Sequence, residues 1–320
     1  MAESKPTVLV ARRLPSVGSE TLGGICGIRD GGLDVTRERL LELAPGADAI
    51  VADPTVAVDN ALLDSAGSQL RVVANFAAGF DNVDLEACRR RGVAVTNTPD
   101  VLTDATAELA FALTLAAARR TTEAEADLRR GEWRGPEPDA YLGLELTGAT
   151  FGVVGMGRIG SRYAELVRAM AGELLYTSRT RKHERERELG AERVGVDELL
   201  RRADVVSLHV PVTGETSGLV SRDELRSMKA HAVLVNTARG RLVDEAALAN
   251  ALRGAEIGAA GLDVYEHEPR VPDELLDAPH CVLLPHIGSA TTRARDAMAR
   301  LVADNVLAAL RGDEPPNRVA

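Results

Sequence analysis

The stretch from Ala149 to Arg181, ATFGVVGMGRIGSRYAELVRAMAGELLYTSRTR, constrains the fold of this chain more than any other. Phe151 to Val154 is a short apolar run fit for a buried strand, and Gly155, Gly157 and Gly160 supply G-x-G-x-x-G. Helical spacing then runs from Arg158 to Ala171, with a stop at Gly172. Glu173 to Ser178 makes a second strand. In such a unit the first glycine permits a tight turn, the second lets a pyrophosphate approach the backbone, and the third lets helix and strand pack closely. Unpaired N–H groups and a partial positive charge at the helix N-terminus complete an anion site. The expected ligand is a dinucleotide.

The residue that reads the adenosine ribose should end the second strand, and Ser178-Arg179-Thr180-Arg181 occupies that end. An NAD site usually places Asp or Glu there. A hydroxyl with two guanidiniums, from Ser178, Arg179 and Arg181, suits a 2′-phosphate instead. NADPH is therefore expected over NADH, which stays possible. The alternative is that both arginines simply open the solvated run RTRKHERERE.

Apolar, β-branched runs recur at 7–11, 49–52, 70–74 and 93–96, with helix-like segments such as 37–43 and 84–91 between them. A second series runs through 151–154, 174–177, 205–209, 232–236, 259–263 and 282–285. This alternation implies an α/β chain with two doubly wound parallel sheets, and 320 residues suit two domains. Asn97-Thr98-Pro99-Asp100 gives turn chemistry before an apolar-faced helix over 100–120, which is expected to bridge the domains. A helix over 291–311 would return as a second crossing, the two forming a hinge over a cleft. Residues 131–143 read as a loop, either a surface excursion or an arm reaching a partner subunit.

A net charge of −10 argues against a nucleic-acid partner. Cys26, Cys88 and Cys281 are odd in number and lack metal-ligand spacing, so reduced thiols, no metal and a cytoplasmic location are expected. The opening MAESKPTVLVA has no apolar signal core and the apolar segment 109–118 is too short to span a bilayer, so no membrane partner is expected.

Ligands of open parallel sheets bind beyond the carboxyl ends of the strands. Three polar residues follow apolar runs there: Arg239 in NTARG, Glu268 in GLDVYEHEP and His286 at the end of CVLLPH. Hydride transfer to a carbonyl leaves an alkoxide that needs a proton, a task suited to histidine. A carboxylate beside the ring favours the imidazolium, so Glu268 with His286 fits such a pair, and Arg239 is suited to a substrate carboxylate. Taken singly, Arg239 is equally a surface charge, Glu268 a loop solvator and His286 a capped strand end. His209 also ends a strand and is expected to line the cofactor groove near Pro211. His267 is expected to face water, and His183, His231 and His280 to sit at the surface.

GVVGMGRIG, VLVNTARGRLVDEAAL, AGLDVYEHEP and LLPHIGSAT together resemble the D-isomer-specific 2-hydroxyacid dehydrogenases over essentially the whole chain. NFAAGFDNVD and TNTPDVLTDATAELAFALTLAAARR resemble the glyoxylate reductase/hydroxypyruvate reductase branch. The resemblance implies a Rossmann cofactor domain, 100–287, inserted into a flavodoxin-like substrate domain, 1–99 and 288–320. It also implies a homodimer, with a dimerisation arm around 121–148. Arg239 would anchor the substrate carboxylate, Glu268 would partner the histidine, and His286 would donate and accept the proton. Ala77, Ala78 and Gly79 match a loop whose N–H groups face that carboxylate. Thr103 and Asp263 match cofactor contacts, and Arg158 and Ile159 match the pyrophosphate turn. The implied activity is NADPH-dependent reduction of glyoxylate or hydroxypyruvate. Alternatives are a larger 2-oxo acid, or a dinucleotide-sensing corepressor. One departure concerns the arm: some relatives carry a second tryptophan three residues after the first, whereas Trp133 is followed by Pro136.

Overall fold

The computed structural model describes residues 5–320. Its contacts divide the chain into two compact units, one from the residues up to Leu102 with Ser289–Ala320, the other Thr103–Gly288.

In the first unit β1 (Thr7–Val10), β2 (Gly27–Asp30), β3 (Ala49–Ala52), β4 (Val72–Asn75) and β5 (Ala94–Thr96) form a parallel sheet in the order β2-β1-β3-β4-β5. The central strands AIVA and VVAN are buried throughout, as parallel strands covered on both faces must be. Leu9, Ile50, Leu62 and Val73 build the core on one face. The edge strand β2, GIRD, is short and mostly polar, so it leaves no apolar run in the sequence. The helix Thr292–Arg311 starts where the Thr291 hydroxyl accepts the Ala294 N–H, and it packs against β4.

The second unit holds β6 (Thr150–Val154), β7 (Glu173–Thr177), β8 (Glu192–Arg193), β9 (Val205–Leu208), β10 (Val233–Asn236), β11 (Ala259–Leu262) and β12 (Cys281–Leu283). All are parallel, in the order β12-β11-β10-β9-β6-β7-β8. Because the order reverses at β6, the crevice beyond its carboxyl end is the topological switch point at which such sheets bind ligands. The helix Thr103–Ala118 covers β10 and β11 and packs on the helix Arg158–Val167.

Several boundaries differ from the sequence expectation. The helix after the glycine turn stops at Val167 rather than Ala171, because the Met170 carbonyl accepts the Gly148 N–H at 2.8 Å, which draws the chain toward β6. The helix expected over 100–120 spans only Thr103–Ala118. Asp100 has φ 68° and Arg120 φ 52°, and the Ala118 carbonyl accepts from Leu144 at 2.8 Å instead of continuing the helix. A second helix, Thr121–Arg130, then opens the arm segment and ends at Gly131 in the left-handed region. The two-residue edge strand β8 is too short to leave a pattern.

Candidate active site

Three consecutive strands deliver the polar cluster. After β10 the Asn236 side chain braces the turn, its Oδ1 accepting the Ala238 N–H at 3.0 Å and its Nδ2 donating to the Arg239 carbonyl at 2.8 Å. Half-buried Arg239 is thereby fixed at its backbone, and its Nη1 donates to the Ala238 carbonyl at 2.7 Å. A Cβ on Gly240 would lie 1.9 Å from the Tyr265 carbonyl carbon, so only glycine lets this turn press against the segment after β11.

That segment carries Glu268. Its Oε1 accepts the Tyr265 N–H at 3.0 Å, and the Tyr265 hydroxyl donates to the Leu284 carbonyl at 2.9 Å. Its Oε2 meets His286 Nδ1 at 2.6 Å. Burial pushes the Glu268 carboxyl up, but the hydrogen bond and charge of His286, the Tyr265 N–H and the Arg239 guanidinium outweigh it and hold the carboxyl below its ordinary range. The carboxylate is thus kept as the charged acceptor that orients the ring. His286 Nε2 makes no hydrogen bond among the described residues.

Two further groups steer this cluster, and only one of them stands out in the sequence. Asp263, matched by resemblance to a cofactor contact, is fully buried at the end of β11. It accepts the Ile287 N–H on Oδ1 at 2.7 Å and the Gly288 N–H on Oδ2 at 2.8 Å. These bonds hold the turn in which His286 adopts φ 53°, a left-handed conformation costly for a residue with a Cβ. Glu245, 8% exposed, accepts the Glu266 N–H at 2.8 Å and so fixes the Tyr265–Glu268 turn from behind. Burial, aided by the charges of Glu266 and Glu268, raises its carboxyl above the usual range although the Glu266 N–H opposes this. Its signal in sequence is an acid directly after an N-cap, which reads as an ordinary helix start: Asp244 accepts the Ala247 N–H at 2.9 Å.

The glycine turn has the form a dinucleotide requires. Gly155 stands at φ +99°, where a Cβ would also fall 2.5 Å from the His209 carbonyl oxygen, and a Cβ on Gly160 would fall 2.0 Å from the Gly155 oxygen. Both are demanded by the protein's own packing. A Cβ on Gly157 would meet nothing within 4 Å, so that glycine is required only if something else approaches the backbone there. Gly157 is the N-cap of Arg158–Val167 and provides no side-chain cap, which leaves the first N–H groups to a ligand. Arg158 is exposed beside it and Ile159 half-buried.

His209 follows β9, its N–H donating to the Val154 carbonyl at 2.7 Å and its Nε2 lying 2.9 Å from the buried Ser207 hydroxyl. Tyr163 packs at 5.2 Å from its ring and bonds Thr114 at 2.8 Å. Burial lowers the His209 pKa to about 3, which favours the neutral imidazole. Pro211 is exposed beyond it, and its carbonyl accepts the Thr216 hydroxyl at 2.7 Å. Thr103 is half-buried at the first position of its helix.

At the end of β7 the expected trio is only partly assembled. Arg179 is exposed and its guanidinium makes no hydrogen bond among the described residues, whereas Arg181 Nε donates to both oxygens of Glu186 at 3.0 Å. A third arginine, outside the SRTR motif, joins them: Arg193 of β8 donates to the Ser178 carbonyl from Nε at 3.2 Å and Nη2 at 2.9 Å. Its register opposite Tyr176 places it there.

In the first unit the carbonyls of Ala77, Ala78 and Gly79 are each held, by the Thr98 N–H at 2.8 Å, Asn97 Nδ2 at 2.7 Å and Asn75 Nδ2 at 2.8 Å. The N–H groups of Ala78 and Gly79 have no partner among the described residues, a pattern suited to an anion. His267, His183 and His231 are exposed, and His280 is partly exposed, its Nδ1 3.2 Å from Glu123. Glu123 comes from the helix Thr121–Arg130, which has no apolar stripe to mark it in the sequence. Among the described residues no group of His, Cys, Asp and Glu is arranged to hold a metal, and no helix is long and apolar enough to cross a membrane.

The sequence model described as "D-isomer specific 2-hydroxyacid dehydrogenase, NAD binding domain" matches residues 111–288. The chain belongs to this family. Within it, the chain is 46% identical to the glyoxylate reductase of Thermococcus litoralis over 98% of its own length and 97% of the relative's. It is 50% identical to that of Aeropyrum pernix, over 88% and 85%. Among solved structures it is similar to a Thermus thermophilus protein, with TM-score 0.91, 44% identity and coverage of 98% and 100%. It is also similar to the NADPH-dependent glyoxylate/hydroxypyruvate reductase of Sinorhizobium meliloti, solved with NADP and malonate, with TM-score 0.86, 35% identity and coverage of 99% and 97%. The chain is accordingly an oxidoreductase of the 2-hydroxyacid dehydrogenase type that uses a nicotinamide dinucleotide.

Proposed function

We propose that this chain reduces small 2-oxo acids, glyoxylate and hydroxypyruvate foremost, to glycolate and D-glycerate, with NADPH preferred over NADH. The observation that carries the reading is the 2.6 Å bond between His286 Nδ1 and Glu268 Oε2, with the Arg239 charge acting on the same carboxylate. The bound dihydronicotinamide supplies a hydride to C2 of the acid. As that carbon is reduced, the His286 imidazolium gives its proton from Nε2 to the carbonyl oxygen, and Glu268 stabilises the imidazolium beforehand and holds the ring through Nδ1. Arg239 holds the substrate carboxylate and polarises the carbonyl. Gly155, Gly157, Gly160, Arg158 and Ile159 receive the pyrophosphate, and Thr103, His209, Pro211 and Asp263 border or support the cofactor groove. Ser178, Arg179 and Arg181 face the adenosine ribose.

The substrate class is supported by the glyoxylate reductases that the chain resembles, and the cofactor preference by the NADPH dependence of the similar Sinorhizobium enzyme. The test is the initial rate of reduced-cofactor oxidation with glyoxylate, NADPH and NADH run in parallel. NADPH at least about tenfold better, a difference of ~1.4 kcal/mol, is the expected result. A winning NADH overturns the preference, and no turnover with glyoxylate or hydroxypyruvate overturns the substrate class.

We also propose that two copies pair through the arm segment 121–148. Leu128, Trp133 and Leu142 of that segment are 56%, 56% and 67% exposed, a cost in water that a second copy would remove. Light scattering should give a dimer for the native chain and a monomer after Leu142→Glu with Trp133→Ala.

A further inference from the structure

The end of β7 holds an acid that the SRTR motif alone does not disclose. Glu186 lies in the helix His183–Leu189 and accepts Arg181 Nε on both carboxylate oxygens at 3.0 Å. It does not swing freely: the Tyr176 hydroxyl, on β7 itself, donates to Glu186 at 2.7 Å and is fixed in turn by the Lys182 N–H at 2.8 Å. His183 Nδ1 stands 3.6 Å away as a second group that favours the anion when protonated. Only 15% of the Glu186 side chain is exposed, against 59% of Arg181. The carboxylate is therefore a built-in acceptor anchored from the sheet, and its guanidinium partner is the outer, more exposed member.

A 2′-phosphate arriving at this strand end would meet Arg181 with its charge already matched. Arg179 differs, since its guanidinium makes no bond among the described residues. Arg193 differs too: its bonds are to the neutral Ser178 carbonyl, so its charge is uncompensated by them. We propose that Glu186 is a specificity-determining residue that competes with the 2′-phosphate for Arg181, so that discrimination between the phosphorylated and unphosphorylated dinucleotides is held below what three arginines would give. The proposal rests on the assignment of this strand end to the adenosine ribose.

Binding of NADP⁺ and NAD⁺, measured calorimetrically without substrate, tests it in four proteins: native, Glu186→Gln, Arg181→Ala and the double variant. Glutamine keeps an acceptor for Tyr176 and removes the charge. Glu186→Gln should tighten NADP⁺ by about two- to fivefold, the range for an exposed ion pair, and leave NAD⁺ unchanged. Arg181→Ala should alter NADP⁺ little in the native background and abolish the gain in the double variant. Unchanged or weaker NADP⁺ binding in Glu186→Gln, equal tightening of both dinucleotides, or a gain that survives loss of Arg181 each overturns it. Tighter NAD⁺ than NADP⁺ in the native protein would refute the NADPH preference alone, because the effect of Glu186→Gln is read as a ratio to native.

Discussion

His286 Nδ1 and Glu268 Oε2 stand 2.6 Å apart across a turn whose histidine is left-handed at φ 53°. In the proposed mechanism His286 is the proton donor and Glu268 the carboxylate that orients its ring. His286→Asn should lower kcat by about 10²–10⁴-fold, the usual share of a general acid. Glu268→Gln should cost less, because the amide keeps an oxygen for His286 Nδ1 but loses the carboxylate charge. Steady-state kcat with glyoxylate checks this, and an unchanged kcat in Glu268→Gln would remove the carboxylate from the proton transfer.

Arg239 predicts a different signature. Arg239→Ala should raise KM for the 2-oxo acid by at least about tenfold, ~1.4 kcal/mol, with NADP⁺ binding unaltered. A fall in kcat accompanying it would report polarisation of the carbonyl as well as anchoring.

The three motif glycines should separate into two classes. Gly155→Ala and Gly160→Ala force contacts of 2.5 and 2.0 Å and should lose about 1–3 kcal/mol of stability by denaturant unfolding. Gly157→Ala meets nothing in the protein and should melt as the native chain does while binding dinucleotide at least about tenfold more weakly. Equal dinucleotide affinity in Gly157→Ala would show that the turn does not carry the pyrophosphate.

Asp263→Asn replaces a two-oxygen acceptor with one oxygen and an amide facing a backbone N–H. Leaving such a buried group unsatisfied costs about 1–3 kcal/mol, and the released His286 turn should lower activity along with stability. Full activity with a lowered midpoint would mean that the turn holds without both bonds.

Glu245 predicts a pH dependence of stability. A carboxyl raised by burial binds its proton more tightly folded than unfolded, so the stabilisation is complete below the unfolded value and is lost as pH rises through the folded one. Glu245→Gln keeps the acceptor for the Glu266 N–H without the charge. Its stability relative to the native chain should improve as pH rises from the ordinary carboxyl value through the raised folded one. A flat difference in urea midpoints across that range would refute the buried-charge account.

Much of this site is legible in the sequence because its residues stand where chain pattern and chemistry coincide. Arg239 and His286 directly follow strands that read as apolar runs, and Gly155, Gly157 and Gly160 fall between a strand and a helix. What is not legible depends on pairing or burial. Arg193 joins Ser178 only because a two-residue strand aligns it with Tyr176, and no periodicity marks two residues. Glu186 sits in the charged run RTRKHERERE, where one carboxylate looks like another until the Tyr176 hydroxyl picks it out. Asp263 and Glu245 act through backbone N–H groups at other positions, which side-chain identities do not disclose. The early end of the helix at Val167 likewise follows from a bond to Gly148, well upstream in the chain.

Gly240 packed onto the Tyr265–Glu266 peptide has an evolutionary reach beyond its size. It welds the loop bearing Arg239 to the loop bearing Glu268, so neither can gain or lose a residue without displacing the other. Insertions should accumulate elsewhere, as in the exposed arm, while these two loops drift only by paired substitution. Arg239 and Glu268 are thereby positioned as one part.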